Sequence, residues 1–196
     1  EDIKGRRNHL STGFLGTVYL CHVLSATGYT DVAYDLLLQD SYPSWLYPVK
    51  MGATTIWERW DGQKTDSTFQ DPGMNSFNHY AYGAIGDWMY RVSAGIETME
   101  PGYKHLVIQP HPSEKLTYSK ASFESSYGTI ASGWERKGEK VIINVKIPAN
   151  TIATIILPVD SATKVTTDGI SISDNKSFSG IRTEGNKLFI ESGSGN

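Results

Sequence analysis

The residues best suited to chemistry lie in the segment 52–62, which places one carboxylate, Glu58, between two tryptophans, Trp57 and Trp60. Indole rings stack on the apolar C–H faces of sugar rings, and a carboxylate accepts hydrogen bonds from sugar hydroxyl groups. This combination of residue types therefore indicates a carbohydrate pocket around Glu58.

Two charged neighbours leave a second interpretation of this segment open. Arg59 follows Glu58 directly, and Asp61 lies three residues beyond Glu58. An ion pair of Glu58 with Arg59, or with another base, would hold the loop beside a helix end and give the carboxylate a purely structural role. On the residues alone, the pocket and the ion pair both remain possible.

A second candidate, His79, lies near the start of a helix predicted over residues 77–94. The positive end of the helix dipole disfavours a charged imidazole in the first turn. A neutral imidazole donates one hydrogen bond and accepts another, which fits a neutral polyol. The alternative is a core histidine whose hydrogen bonds go to backbone carbonyl groups.

Motifs for several other kinds of site are missing. The sequence has no phosphate-binding loop of the form Gly-x-x-x-x-Gly-Lys-Ser/Thr, no Gly-x-Ser-x-Gly elbow and no His-Glu-x-x-His pair. Its five histidines lack close metal-ligand spacing, and its single cysteine, Cys21, excludes an internal disulfide and a multi-cysteine zinc site. We therefore expect no metal and no cofactor.

Composition and charge exclude some partners. A content of 39% hydrophobic and 11% aromatic residues is typical of a folded protein, and the net charge of −3 gives no reason to expect nucleic acid or an anionic membrane surface as a partner. No apolar run reaches the ~18–20 residues needed to cross a bilayer. No charged start precedes an apolar run, so we expect a soluble chain without a signal peptide or transmembrane segment, in an unassigned compartment.

The elements that must position the candidates are helical in the first half of the chain. Apolar spacing predicts helices over residues 13–26, 31–39 and 77–94, the first two forming a hairpin. Between the second and third of these helices, residues 40–75 contain prolines and glycines that interrupt any regular period. The same segment is rich in tryptophan, tyrosine and aspartate. Ordered loops of this length tend to carry function.

The second half of the chain changes to the period-2 pattern of strands. Of 22 aromatic residues, 16 lie in residues 1–103, and the net charge changes from −5 in that part to +2 in the remainder. Seven short strands are predicted, at 106–109, 116–126, 128–134, 140–147, 152–157, 164–167 and 187–191. We predict a helical unit over residues 1–100, an antiparallel β-sandwich over 101–196 and disorder in the tail 193–196.

Four segments are long and specific enough to carry a resemblance to a known family: residues 9–16, 52–62, 77–83 and 101–110. Together they resemble the C-terminal portion of the bacterial-type α-L-rhamnosidases, an inverting glycoside hydrolase family. The resemblance implies that residues 1–100 are the last helices of an (α/α)6 barrel, whose mouth holds the sugar, and that the strand-rich remainder is the family's C-terminal β-sandwich.

The resemblance also implies roles for the candidates. Glu58 matches the general base that activates the attacking water, and His79, 21 residues later, matches a residue that binds rhamnose. Four further motif positions are expected to shape the pocket: Trp57, Trp60, Arg59 and Asp61. The expected ligand is a rhamnosylated glycan or glycoside.

One part of the mechanism is missing from the chain. An inverting glycosidase needs a second carboxylate as general acid, ~6.5–9.5 Å from the base. In the family this acid lies upstream, and six helical hairpins need about twelve helices, of which this chain supplies roughly three. The expected partner is therefore the N-terminal part of the barrel. Without it, exposed apolar helix faces are expected to favour self-association.

A non-catalytic module, either sugar-binding or structural, is the alternative function. In that case the β-sandwich would bind glycans or brace the helical unit. Residues 104–196 hold only one tryptophan, Trp134, and two tyrosines, Tyr118 and Tyr127. Since sugar-binding sandwiches present exposed aromatic rings, this scarcity favours bracing over binding.

Overall fold

The computed structural model describes residues 2–195, which form two compact units that separate along the chain between Trp88 and Met89. Unit 1 is built from helices and loops, and unit 2 is built mainly from strands. Among the described residues, no helix combines the length and the apolar character needed to cross a membrane.

The helices of unit 1 are short, apart from a central hairpin. The α-helices are α1 (Asp2–Gly5), α2 (Phe14–Ala26), α3 (Thr30–Leu38), α4 (Leu46–Lys50) and α5 (Ile85–Trp88). Two 3-10 turns lie at Pro72–Met74 and Ala81–Ala84. The predicted hairpin is confirmed by α2 and α3, which pack together across the turn at Gly28, where φ is +86°.

Trp88 joins the helices of unit 1 into one core. Its side chain is fully buried, and its ring meets the edge of Tyr34 from α3 with the centroids 5.0 Å apart. Its indole Nε1–H donates a hydrogen bond of 2.9 Å to Oγ of Ser25 on α2. Because the polar atom of the buried indole is satisfied, the tryptophan stabilises α2, α3 and α5 through apolar burial without a desolvation penalty.

The helix predicted over residues 77–94 is wrong at its start and in its regularity. Helical geometry begins only at Ala81, and after α5 the chain forms a π-helical turn at Met89–Ser93 in unit 2. His79 precedes the helix because its main-chain N–H donates to the carbonyl of Ile56, 2.8 Å away, which holds the backbone out of a helical turn. The helix-dipole argument for a neutral His79 therefore does not apply.

The part of unit 2 that the structure describes contains ten strands. They are β1 (Ile96–Thr98), β2 (His105–Ile108), β3 (Tyr118–Ser125), β4 (Gly128–Lys137), β5 (Lys140–Lys146), β6 (Ile152–Leu157), β7 (Thr166–Thr167), β8 (Ile170–Ser171), β9 (Ser179–Glu184) and β10 (Lys187–Ser192). Single 3-10 turns lie at Pro101–Tyr103, Ala162–Lys164 and Ile172–Asp174. The sequence pattern missed β1, β8 and β9, which are short or mostly exposed.

Two sheets enclose the core of unit 2. A five-stranded sheet has the order β1-β2-β6-β10-β9, and a three-stranded sheet has the order β3-β4-β5, while β7 and β8 form a separate ribbon. All pairings are antiparallel except β2 with β6, which run parallel with Leu106 opposite Ala153. Buried Leu106, Ile130 and Leu188 belong to one cluster that draws on both sheets, so the predicted sandwich is confirmed as a mostly antiparallel one.

The end of the chain is ordered as far as the structure describes it. Gly195 and Ile147 exchange two main-chain hydrogen bonds, of 2.8 and 3.1 Å, so disorder is the wrong prediction at Gly195. Asn196, the last residue of the predicted disordered tail, lies outside the described residues.

Candidate functional site

Main-chain hydrogen bonds bring the two candidate segments side by side. The N–H of Glu58 donates to the carbonyl of Ser76 at 2.9 Å, and the N–H of His79 donates to the carbonyl of Ile56 at 2.8 Å. These two bonds fix the backbone around Glu58 against the backbone around His79. Two candidates 21 residues apart in sequence thus lie on adjacent, hydrogen-bonded segments of unit 1.

The Glu58 carboxylate is held by one of its two oxygens. Its Oε2 accepts a hydrogen bond of 2.8 Å from the main-chain N–H of Ser76. The guanidinium of Arg59 is directed elsewhere, with its Nε 3.7 Å from Oδ1 of Asp61. Among residues 2–195 no ion pair joins Glu58 to Arg59 or to another base, so the ion-pair interpretation of this segment is not supported.

Asp61 is tied into the loop that follows. Its Oδ2 accepts a hydrogen bond of 2.5 Å from the side-chain amide of Gln70, in addition to the contact with Arg59. Asn75 closes the same loop, donating from Nδ2 to the carbonyl of Gly62 at 3.0 Å. Asp61 and Arg59 therefore order the loop behind Glu58.

His79 lies in a row of aromatic rings. Its imidazole stacks on Phe14 of α2 with the centroids 5.0 Å apart and an interplanar angle of 17°. The neighbouring Tyr80 ring lies almost parallel to the imidazole, at 5.9 Å and 4°. The Nδ1 atom of His79 is buried and finds no hydrogen-bond partner among the described residues. A core histidine would have its ring nitrogens hydrogen-bonded to backbone carbonyl groups, and Nδ1 of His79 has no such bond.

The two tryptophans join separate aromatic clusters. Trp57 is buried and meets the edge of Phe77 at 5.1 Å and 88°. Trp60 stacks on Tyr82 at 3.7 Å and 18°, and its other neighbour is Trp45, at 5.6 Å and 83°. Both indoles are thus fixed by aromatic side chains that the sequence pattern did not identify.

A small apolar pocket lies between these clusters. Its volume is about 40 Å³, and Trp57, Trp60 and Tyr82 belong to its lining, whereas Glu58 and His79 do not. Since one water molecule occupies ~30 Å³ of the liquid, this pocket is too small for a sugar ring. This pocket is therefore not the sugar site, and neither Glu58 nor His79 lines it.

Burial raises the pKa of two tyrosines in this region, Tyr47 and Tyr82. Burial raises the pKa of Tyr82, and the nearby Arg59 opposes that rise. Burial also raises the pKa of Tyr47, and the carboxylates of Asp61 and Asp66 add to the effect. The Tyr47 hydroxyl donates to the carbonyl of Gln63 at 3.0 Å. Both tyrosines are thus neutral at physiological pH.

Three neighbours of the candidate residues are not identified from the sequence. Phe14 and Tyr82 lie within segments 9–16 and 77–83, which carry the family resemblance. Their residue types alone do not indicate that they pack against His79 and Trp60. Ser76 acts through its main-chain N–H, which no residue type reveals. In the part of the chain that the structure describes, no three His, Cys, Asp or Glu side chains are grouped as potential metal ligands.

Two family models match the chain. The model described as the bacterial alpha-L-rhamnosidase 6 hairpin glycosidase domain matches residues 1–92. The model described as the bacterial alpha-L-rhamnosidase C-terminal domain matches residues 95–170. The order of the two domains along the chain follows the order of units 1 and 2.

Curated relatives cover almost the whole chain. An alpha-L-rhamnosidase of Formosa agariphila is 44% identical over 190 residues, which is 97% of this chain and 20% of the relative. An alpha-L-rhamnosidase of Streptomyces avermitilis is 47% identical over 163 residues, which is 83% of this chain and 16% of the relative. The chain thus spans about a fifth of the length of the curated relatives that it matches.

Solved structures have the same fold. The alpha-L-rhamnosidase of Streptomyces avermitilis complexed with L-rhamnose aligns with a TM-score of 0.88 and 42% identity, over 98% of this chain and 18% of that one. The alpha-L-rhamnosidase of Dictyoglumus thermophilum aligns with a TM-score of 0.82 and 34% identity, over 100% of this chain and 21% of that one.

Proposed function

Because this chain belongs to the bacterial α-L-rhamnosidase family and corresponds to a C-terminal portion of its members, we propose that it works as part of an α-L-rhamnosidase. That enzyme would hydrolyse terminal α-L-rhamnosyl residues of a glycan or glycoside with inversion at the anomeric carbon. The observation that carries the proposal is the hydrogen-bonded pairing of the segments around Glu58 and His79.

In this proposal Glu58 is the general base. One oxygen of its carboxylate is anchored on the N–H of Ser76, and an anchored carboxylate keeps a fixed direction for its second oxygen. The second oxygen would accept a proton from water as that water attacks the anomeric carbon. Arg59 is engaged with Asp61, and among residues 2–195 no salt bridge occupies the Glu58 carboxylate.

His79 would bind the rhamnose ring. Stacking on Phe14 fixes the plane of the imidazole, so that a nitrogen at its edge can hydrogen-bond a sugar hydroxyl in one direction. The relative from Streptomyces avermitilis was solved with L-rhamnose, and we transfer that sugar to this site.

The remaining motif residues would shape the pocket around these two groups. Trp57 and Trp60 would act as walls through their aromatic clusters, and Arg59 and Asp61 would order the loop behind the base. Direct contact of the indoles with sugar is not needed for this role.

The general acid would come from outside this chain. Inverting hydrolysis needs an acid ~6.5–9.5 Å from the base, and the relative from Formosa agariphila is about five times as long as the region matched here. The upstream helices would therefore supply both the acid and the rest of the sugar cavity.

In the hydrolysis itself, unit 2 would have a structural role rather than a sugar-binding one. Its tryptophan, Trp134, is only 2% exposed and donates from Nε1 to the carbonyl of Ser93 at 2.8 Å. A buried indole cannot stack on a glycan, so the alternative of a sugar-binding module loses its strongest aromatic residue. Two features remain in its favour: the exposed rings of Tyr118 and Tyr127, and a pocket of about 810 Å³ in unit 2 that Tyr118 helps to line.

The test compares this chain with a complete enzyme that carries it as the C-terminal part. The complete enzyme should release the phenol from an aryl α-L-rhamnoside, and proton NMR should detect β-L-rhamnose as the first product. The chain alone, at matched purity, should give no turnover, because it lacks the acid. Turnover by the chain alone would show that the acid is misassigned, and first-formed α-L-rhamnose would contradict inversion.

A further inference from the structure

The pocket of about 810 Å³ in unit 2 is a groove against the three-stranded sheet. Pockets that hold small ligands have volumes of ~300–1,000 Å³, so its size suits a ligand such as a short sugar chain. Its lining draws on all three strands and on the π-helical turn, and includes Tyr90, Tyr118, Lys120, Gly133, Glu135 and Asn144. We call it the sheet groove.

The strand register places the polar side chains of the sheet groove on one face of the sheet. Tyr118 of β3 lies opposite Glu135 of β4. Lys120 lies opposite Gly133, which in turn lies opposite Asn144 of β5. Residues directly opposite one another in antiparallel strands project to the same side. The tyrosine, the lysine, the glutamate and the asparagine can therefore contact one ligand together.

Gly133 keeps the middle of the sheet groove open. In the row formed by Lys120, Gly133 and Asn144, the central residue has no side chain. A Cβ added at Gly133 would lie 2.7 Å from Cβ of Lys120, so no side chain fits there without a shift of its neighbour. The floor of the groove at this point is main chain, and the side chains of Lys120 and Asn144 stand on either side of it.

Tyr118 and Lys120 offer complementary contacts to a charged sugar. The Tyr118 ring is 57% exposed, and Nζ of Lys120 lies 5.8 Å from the centre of that ring. An exposed ring packs against the C–H face of a sugar, and an ammonium group binds an anionic substituent of the same sugar. Among residues 2–195 no carboxylate pairs with Lys120, so its charge is available to a ligand.

The charges of this face favour a ligand that carries both carboxylate and hydroxyl groups. In the described strands β3, β4 and β5, the face has more lysines than glutamates, namely Lys120, Lys137, Lys140 and Lys146 against Glu124 and Glu135. The positive excess attracts an anion. Glu135, 3.4 Å from Lys137, accepts hydrogen bonds from hydroxyl groups and repels a densely charged chain such as a sulfated one.

We propose that the sheet groove binds a glycan that contains uronic acid residues. Tyr118 stacks on a sugar ring, Lys120 binds the carboxylate of that sugar, and Glu135 and Asn144 hydrogen-bond hydroxyl groups. This site uses none of the residues assigned to hydrolysis, so it goes beyond the proposed function and does not depend on it.

The test titrates the whole chain with three hexasaccharides by isothermal titration calorimetry at low ionic strength. They are a galacturonic acid hexamer, a neutral galactose hexamer and a sulfated galactose hexamer. We expect the galacturonic acid hexamer to bind at least about tenfold more tightly than the other two, because a hydrogen bond to a charged group contributes at least that much. A neutral or sulfated hexamer that binds as tightly would overturn the proposal.

Variants locate the binding. Lys120→Gln and Tyr118→Ala should each weaken binding of the galacturonic acid hexamer by about tenfold or more, whereas Lys120→Arg keeps the charge and should stay within about threefold. The matched controls are Lys176→Gln and Tyr127→Ala, at exposed residues of unit 2 outside the lining of the groove, and they should stay within about twofold. Equal weakening by Lys120→Gln and Lys176→Gln would assign the binding to the overall charge of unit 2 and overturn the proposal.

Two further measurements keep this inference separate from the proposed function. Thermal unfolding shows that each variant is folded. Free L-rhamnose, which the proposed function assigns to unit 1, should leave the affinity for the galacturonic acid hexamer unchanged, and competition between them would overturn the proposal. Because binding is measured on the chain alone, a complete enzyme without rhamnosidase activity would refute the proposed function and leave the sheet groove untouched.

Discussion

Glu58 and Ser76 are joined by two hydrogen bonds that run in opposite directions. The N–H of Glu58 donates to the carbonyl of Ser76 at 2.9 Å, and the N–H of Ser76 donates to Oε2 of Glu58 at 2.8 Å. The first bond fixes the backbone of the proposed base, and the second fixes its carboxylate. A bond from a backbone amide to an ionised oxygen is among the stronger hydrogen bonds in proteins.

Removal of the Ser76 N–H should lower turnover by the complete enzyme. Ser76→Pro deletes the donor, so the carboxylate loses its anchor, and we expect kcat to fall by about 10–100-fold. Ser76→Ala keeps the N–H and should retain kcat within about threefold, although it loses the weaker bond from the Asn78 N–H to Oγ. The measurement is kcat for both variants on an aryl rhamnoside, with thermal unfolding as the check on folding. Equal kcat values in well-folded Pro and Ala variants would contradict the anchoring role.

Replacement of Glu58 itself should lower kcat more than the loss of its anchor at Ser76 does. Glu58→Gln keeps a carbonyl oxygen that can accept from Ser76 but removes the proton acceptor, so we expect kcat of the complete enzyme to fall by about 10²–10⁴-fold with an unchanged Tm. Glu114→Gln, at a carboxylate side chain that is 90% exposed in unit 2, is the control and should leave kcat unchanged. Turnover like that of the unsubstituted enzyme in Glu58→Gln would remove Glu58 from the mechanism.

The architecture follows from the sequence where apolar periodicity is regular. The helices at Phe14–Ala26 and Thr30–Leu38 and the strand at Ile152–Leu157 were predicted almost to the residue, because each repeats its own period between clear breakers. The helix does not begin at residue 77 as predicted, because the main-chain N–H of His79 hydrogen-bonds the carbonyl of Ile56, a residue distant in sequence. The helix propensity of residues 77–80 carries no information about a hydrogen bond to a distant residue.

The site residues could be nominated from the sequence, but their packing could not. Residue types indicated a carboxylate with indoles and a polar histidine, and these side chains do lie on adjacent segments. The sequence did not reveal the aromatic partners of the two indoles, which are Phe77 for Trp57 and Tyr82 for Trp60. Neighbours in sequence on an irregular loop need not share a side of the chain.

Loss of the imidazole should weaken binding of the sugar. His79→Ala removes the hydrogen-bonding edge and the ring that stacks on Phe14, and we expect kcat/KM of the complete enzyme to fall by about 10–100-fold, with most of the change in KM. His79→Phe restores the stacking ring alone. If His79→Phe regains full kcat/KM, stacking is sufficient and the hydrogen-bonding role is wrong.

Gly95 should be the least replaceable glycine of unit 2. Its φ is +81°, and an added Cβ would lie 2.1 Å from the backbone nitrogen of Pro110. Gly169 has a similar φ of +78° but open space around it. We expect Gly169→Ala to cost ~1–2 kcal/mol of unfolding free energy, and Gly95→Ala to cost more than ~4 kcal/mol or to prevent folding of unit 2. Urea midpoints from the far-ultraviolet circular dichroism of the strands measure the difference, and equal midpoints would contradict the backbone clash.

His111 should make the stability of unit 2 depend on pH. Burial lowers its pKa below the ordinary 6.5, and Lys187 acts in the same direction, whereas a hydrogen bond with the Val92 carbonyl opposes the change. Above pH ~6.5 the imidazole is neutral in both the folded and the unfolded chain, so its contribution to stability is complete. As the pH falls below that value, the unfolded chain binds the proton first, and stability is lost until the folded-state pKa is passed.

We therefore expect the Tm of unit 2 to fall between pH 7.5 and pH 5.5, and His111→Gln to reduce that fall by on the order of 2–4 °C. His9→Gln, a histidine substitution in unit 1, is the control and should leave the pH dependence of unit 2 as it is. Calorimetry of the chain at a series of pH values gives both slopes. If His111→Gln and the unsubstituted chain show the same slope, another group is responsible for the acid sensitivity of unit 2.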